Sequence, residues 1–224
     1  MQRAFFVTGT DTGVGKTLVS ATLLHGFARQ GLTVVGMKPV AAGATAQDGE
    51  IYWEDVAQLQ AASNINAPLA IRNPYRFVAP IAPHIAASQC GERIELAVIK
   101  HAFSSLQKLA ELVIVEGAGG LYTPLNDTAT MLDLAQQLAL PVILVVAMRL
   151  GCINHALLTE RALISNGLQL AGWVANQVQP PMLAMAENLA ALQQRLTAPL
   201  LGILPYQINP TAAAALLHLH IERL

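Results

Sequence analysis

The stretch from Ala4 to Thr17 constrains this chain more than any other. An apolar, β-rich run, Ala4 to Thr8, meets Gly9-Thr10-Asp11-Thr12-Gly13-Val14-Gly15-Lys16-Thr17 and then a helical pattern from Lys16 to about Gln30, which Gly31 closes as a C-cap. A glycine-rich turn between strand and helix points successive backbone N–H groups at a phosphate, and the helix N-terminus adds to the attraction. In such a loop the lysine reaches the β- and γ-phosphates and the threonine hydroxyl reaches Mg²⁺. The usual spacing leaves four residues between the first glycine and Gly-Lys. Here Gly9 leaves five and Thr10 takes the regular position, so the loop is a variant in the context the motif requires. The bland alternative is a glycine-rich turn with a solvated lysine.

The rest of the chain repeats the alternation. Strands are expected at Thr33–Met37, Leu112–Val115, Val142–Ala147, Leu170–Ala175 and Leu200–Leu204. Helices are expected at Asp55–Ser63, Ala129–Leu138, Ile153–Asn166 and Met182–Leu196, with Thr211–Leu217 opening a C-terminal helix. Strands apolar along their whole length and separated by helices indicate a mostly parallel sheet covered on both faces. No repeat and no Gly/Ser- or Pro-rich linker divides the 224 residues. The expected class is α/β of the P-loop NTPase type, one domain over residues 1–224.

With 54% apolar and 12% charged residues, the chain can fill a core but has few charges for its surface. A homo-oligomer would hide the excess apolar surface. Thirteen basic against 14 acidic residues leave no basic stripe for nucleic acid or an anionic membrane. Apolar runs stop well short of the roughly 20 residues a spanning helix needs. The N-terminus lacks a signal-peptide apolar region, so the expected compartment is the cytoplasm. Cys90 and Cys152 are too few and too far apart for a disulfide framework or a zinc site.

In a parallel sheet ligands bind beyond the carboxyl ends of the strands, and the residues found there carry chemistry. Lys38 closes the second strand and offers a second cation over the phosphates; alone it reads as a surface lysine. Asp55 stands at a helix start, where its bland role is an N-cap. Glu116 ends the third strand before Gly117-Ala118-Gly119-Gly120, suited to Mg²⁺, a hard ion held by few carboxylates plus phosphates. Asn176 offers a paired donor and acceptor matching the edge of adenine, or an Asx turn. Pro205 and Tyr206 could wall the base. Gly151-Cys152-Ile153-Asn154-His155 opens a helix whose free N–H groups suit a carboxylate. No base is identifiable for Cys152 as a nucleophile.

Taken together, these segments resemble the dethiobiotin synthetase family. The resemblance rests on Phe6-Val7-Thr8-Gly9-Thr10-Asp11-Thr12 through Gly15-Lys16-Thr17, Lys38-Pro39-Val40, Asn73-Pro74-Tyr75, Pro83-His84, Glu116-Gly117-Ala118-Gly119-Gly120, Gly151-Cys152-Ile153-Asn154-His155 and Gly172-Trp173-Val174-Ala175-Asn176. It covers nearly the whole chain. It implies a homodimeric ATP- and Mg²⁺-dependent cyclo-ligase that joins CO₂ to 7,8-diaminononanoate, giving dethiobiotin, ADP and phosphate. By position, Thr17, Asp55 and Glu116 would hold Mg²⁺, and Lys16, Lys38 and Thr12 would serve catalysis. Gly13 to Leu18, with Val14 and Gly15 between, would cradle ATP, with Gly117, Ala118 and Gly119 close to it. Asn176 and Gln177 would read adenine, flanked by Pro205, Tyr206 and Gln207. Thr12, Lys38 and Ala42 would meet the diamine, and Gly151, Cys152, Ile153 and Asn154 would receive its carboxylate, from across the dimer.

Two positions depart from the family's pattern, which often has Glu at Gly13 and Ser at Ala42. A lost serine hydroxyl removes a hydrogen bond worth about 0.5–1.5 kcal/mol. The competing reading is a P-loop ATPase switch of partitioning or metallocentre-assembly type. Asp11 stands where partitioning ATPases place an extra lysine, and the Cys/His clusters of assembly proteins are absent.

Overall fold

The structure is a computed structural model that describes residues 3–47, 50–180 and 182–219. In chain order the elements are β1 (Arg3–Gly9), α1 (Lys16–Arg29), β2 (Val34–Met37), β3 (Val40–Ala42), β4 (Thr45–Gln47), β5 (Glu50–Tyr52), α2 (Glu54–Ala62), α3 (Leu69–Arg72) and β6 (Tyr75–Phe77). There follow α4 (Pro83–Gln89), α5 (Leu96–Gln107), β7 (Leu112–Gly120), α6 (Met131–Leu138), β8 (Val142–Ala147), α7 (Cys152–Ser165), β9 (Leu170–Asn176), α8 (Met185–Arg195), β10 (Leu200–Leu204) and α9 (Pro210–Ala213).

Six strands form one sheet in the order β10-β9-β8-β1-β7-β2, and every pairing in it is parallel. The strands are continuous apolar runs because alternate side chains serve opposite faces. Phe5, Val7, Ile114, Ile143 and Val145 pack with Val19, Leu23, Leu24 and Phe27 of α1 and Leu59 of α2. On the other face Phe6, Val113 and Val115 meet Ile99, Phe103 and Leu106 of α5 and Leu134 of α6. Leu144, Val146, Trp173 and Ala175 continue that face under Ala156 of α7 and Leu192 of α8. The chain leaves β1 for β2, returns to β7 between them, then crosses to β8 on the other side of β1. The reversal therefore lies at β1, and the carboxyl ends of β7, β1 and β8 open a crevice there.

Several boundaries differ from the sequence expectation. β7 does not end at Val115 but pairs on to Gly120, with a register shift between Val7 and Gly9 on its partner, so Glu116 lies within the strand. The C-terminal helix is one turn, α9, followed by a 3₁₀ turn at Ala214–Leu216. Helix α6 begins at Met131 rather than Ala129, because Thr130 and Asp133 form a capping box. Helix α8 begins at Met185, after Ala184 takes a left-handed conformation. The two-stranded pair β3–β6, the hairpin β4–β5 and helices α3 to α5 were not expected.

Candidate active site

The loop from Gly9 to Lys16 is shaped by close approaches. A Cβ at Gly9 would lie 2.5 Å from Val14 Cγ2. Gly15 has φ +89°, and its Cβ would run into the amide of Asn176, so only glycine fits there. Gly13 is also left-handed at φ +72°, yet nothing lies within 4 Å of its Cβ direction. Thr12 and Gly13 are exposed, Val14 and Lys16 buried. Lys16 Nζ donates to the carbonyl of Asp11 at 2.9 Å. Burial, and then the charge of Lys38, pull its pKa down to about 8 against the partial support of Glu116, Asp11 and Asp55.

The residues nominated from strand and helix ends meet beside this loop. Glu116 is 1% exposed; its Oε1 accepts from Thr17 Oγ1 at 2.9 Å and from Lys38 Nζ at 2.6 Å. Lys38 Nζ also lies 3.0 Å from Asp55 Oδ2 and 3.3 Å from the Gly117 carbonyl. Burial alone would lower the pKa of Lys38, but Glu116 and Asp55 outweigh it and hold the ammonium above the ordinary lysine range. Asp55 is not the N-cap of α2, since Trp53 holds that position; it sits in the first turn and turns its carboxylate to Lys38.

The donor set suits a small hard cation. It comprises one hydroxyl and two carboxylates, with Glu116 Oε2 buried and without a partner. Among the described residues no group of three or more His, Cys, Asp or Glu could bind a metal. Mg²⁺ needs no such group, because it usually takes one or two carboxylates and completes its shell with phosphate and water.

Asn176, at the end of β9 and buried, reaches the loop itself. Its Nδ2 donates to the Val14 carbonyl at 2.9 Å, and its Oδ1 is buried without a partner. Gln177 follows, half-buried, with its N–H on Leu204 O at 2.9 Å. Pro205, Tyr206 and Gln207 are exposed beyond β10, and Gln207 is left-handed at φ +60°. Gly151 and Asn154 are exposed and Ile153 half-buried. The Cys152 side chain instead packs under Trp173 and Met148, so that loop can offer a ligand its backbone but not its thiol. Ala42 ends β3, half-buried. Gly117 backs onto Phe6, while Gly119, at φ +62°, leaves room for Thr123.

Two arrangements escaped sequence reasoning. Asp11 pairs with Arg149 at 2.8 Å, tying the phosphate loop to the turn before α7. Asn73 Nδ2 donates to the Lys38 carbonyl at 2.6 Å and to the Tyr75 carbonyl at 3.0 Å. Asn73-Pro74-Tyr75 entered the sequence reading only through the family resemblance, which did not reveal that Asn73 grips Lys38.

A phosphate-cradling loop at the reversal of a parallel sheet defines a P-loop nucleotide-binding protein. A family model described as an AAA domain matches residues 3–214. The chain belongs to the ATP-dependent dethiobiotin synthetase family. It is 57% identical to the ATP-dependent dethiobiotin synthetase BioD of Nitrosospira multiformis, over 95% of this chain and 92% of that one. It is 53% identical to the protein of the same name from Aromatoleum aromaticum, over 97% of both. Among solved structures it resembles the septum site-determining protein MinD of Pyrococcus horikoshii, complexed with Mg-ADP. The TM-score is 0.55 and the identity 18%, over 92% of this chain and 82% of that one. It also resembles FtsY of Mycoplasma mycoides at TM-score 0.56 and 16% identity, over all of this chain and 64% of that one. These two likenesses are of fold.

Proposed function

We propose that the protein is an ATP-dependent cyclo-ligase that converts 7,8-diaminononanoate, CO₂ and ATP to dethiobiotin, ADP and phosphate, a step of biotin synthesis. One observation carries the reading: two lysines, a threonine hydroxyl and two carboxylates converge beside a phosphate loop in a chain of this family. A switch of partitioning type shares the fold, but Asp11 gives its loop a carboxylate where that class carries a lysine.

The chemistry runs in three steps. One substrate amine adds to CO₂ and loses a proton, forming a carbamate. A carbamate oxygen attacks the γ-phosphorus and ADP leaves. The second amine then attacks the carbamoyl carbon, closing the ureido ring and expelling phosphate. Phosphoryl transfer needs positioning and charge stabilisation more than covalent help. Lys16 neutralises the β- and γ-phosphates, with the N–H groups of Gly13 to Leu18 around them. Lys38 meets the carbamate and the transferring phosphoryl group. Thr12 borders both substrates, and Gly117 to Gly119 let the backbone approach them. Thr17, Asp55 and Glu116 would hold Mg²⁺, which supplies positive charge to the phosphate oxygens when bound. Asn176 Oδ1 accepts from the exocyclic amine of adenine, with Gln177 and Pro205 to Gln207 around the base.

The substrate carboxylate goes to the N–H groups of Gly151 to Asn154, and Ala42 borders the carbamate without the family's hydroxyl. Tyr122 and Leu158, 60% and 61% exposed, line one cavity with Thr10 of the loop, and Leu150, 94% exposed, stands in the turn after β8; this apolar surface supports a homodimer that completes this end of the site. Residues 1–224 act as one P-loop domain in the cytoplasm; no helix among the described residues is long and apolar enough to cross a membrane.

The test is labelled bicarbonate with Mg-ATP and the diamine. Acid-stable label in dethiobiotin, dependent on both ATP and diamine, is the expected result. Absence of label together with partner-stimulated ATP hydrolysis would transfer the protein to the switch class.

A further inference from the structure

The groups nominated for the metal and those nominated for the reacting carbon are bonded to one another. An ammonium has three N–H groups. Those of Lys38 face Glu116 Oε1 at 2.6 Å, Asp55 Oδ2 at 3.0 Å and the Gly117 carbonyl at 3.3 Å. All three are used, so none remains for a carbamate or a phosphate. Thr17 Oγ1 spends its proton on the same Glu116 oxygen, at 2.9 Å. Each of the three residues of the candidate Mg²⁺ site is thus bonded to Lys38 through one oxygen, directly or through a shared atom, while Glu116 Oε2 is left without a partner.

The backbone of Lys38 is held from both sides. Its N–H donates to Arg72 O at 2.8 Å, and its carbonyl accepts from Asn73 Nδ2 at 2.6 Å. Only the four-carbon stem is free to relocate the charge. Solvent screens the cluster little, the side chains of Lys38 and Glu116 being 7% and 1% exposed. A dication and an ammonium cannot both sit on Glu116 Oε1 in such a place without strong repulsion.

We propose that the Lys38 ammonium and the divalent cation exchange for the same carboxylates. Without metal the lysine pairs with both Asp55 and Glu116. The cation displaces it, and the side chain swings towards the reacting groups. This rests on the ligase reading and adds an order to it: metal and nucleotide enter first, and only then does Lys38 become available to the carbamate. Lys38 is thereby both a placeholder for the metal and a reporter of its arrival.

The test is Mn²⁺ binding by electron paramagnetic resonance, without nucleotide, to wild type and to Lys38→Met. Removing the competing cation is expected to tighten Mn²⁺ binding at least tenfold. Equal or weaker binding by the variant overturns the exchange. A second measurement uses wild type alone, against a failure of the variant to fold. Reductive methylation of Lys38 is followed by peptide mass spectrometry in Mg-ADP and in ADP with EDTA, with Lys100 and Lys108 as references. Lys38 is expected to react at least threefold faster with Mg²⁺; an unchanged or slower rate overturns the proposal. Either negative, with wild type still carrying label into dethiobiotin, removes the exchange alone. Negatives accompanied by absence of label in wild type remove the ligase reading as well.

Discussion

Glu116→Gln keeps the shape of the side chain and deletes its charge. The carboxylate is 1% exposed and takes the shortest bond of the Lys38 ammonium, at 2.6 Å. Breaking a buried pair by removing one partner costs about 3–5 kcal/mol, because the other charge stays buried. Here Asp55 remains 3.0 Å from the ammonium, and its side chain is 26% exposed. That residual partner sets the expected loss at the lower end, about 3 kcal/mol. For a chain of this size it corresponds to a fall in Tm of roughly 6–12 °C. Calorimetry or fluorescence-monitored melting in EDTA reads it without metal or nucleotide. The double variant Glu116→Gln/Lys38→Met removes both charges and should be more stable than the sum of the single losses predicts, by about 1 kcal/mol or more. A Glu116→Gln variant that melts within 2 °C of wild type, or a strictly additive cycle, would refute the claim that this pair is tightly coupled.

Three further outcomes are expected. Lys16 binds phosphate as a cation, and its pKa lies at about 8 in the nucleotide-free protein. It is charged below that value and neutral above it, so ADP affinity should fall roughly tenfold between pH 7 and pH 9, with proton uptake at the higher pH; a flat calorimetric profile contradicts this. Asn176→Ala strands the buried Val14 carbonyl, costing about 1–3 kcal/mol in chemical denaturation and lowering the preference for ATP over GTP in turnover. Gly15→Ala and Gly13→Ala share a left-handed strain of about 1–2 kcal/mol, but only the first collides with Asn176. ADP binding should therefore be lost in Gly15→Ala and kept in Gly13→Ala. Equal losses would show that the collision is relieved elsewhere.

Gly13 stands where the family resemblance leads one to expect Glu. The open space at its Cβ accommodates a glutamate at the cost of backbone strain alone. Ala42, half-buried at the end of β3, has no such compensation on view. A serine hydroxyl there would add a polar group to the wall where the carbamate is proposed to lie.

The sequence determined by itself whatever depends on neighbours a few residues away. The parallel strands could be read because apolar runs such as Val142–Ala147 feed both faces of the sheet at once. The loop at Gly9–Thr17 could be read because its glycines and its lysine act within one turn, on backbone N–H groups they carry or adjoin. The three-residue strands β3 to β6 could not, since at that length no periodicity distinguishes a strand from a loop. Nor could the extension of β7 to Gly120, which depends on a partner strand that shifts register beside it. Tertiary structure alone brought Lys38 and Thr17 onto one oxygen of Glu116, across separations of 78 and 99 residues. It also set Asn176 against the loop from 162 residues away. Bonds of that span follow from the strand order, which threads β7 between β1 and β2 and so carries Glu116 to the lysines.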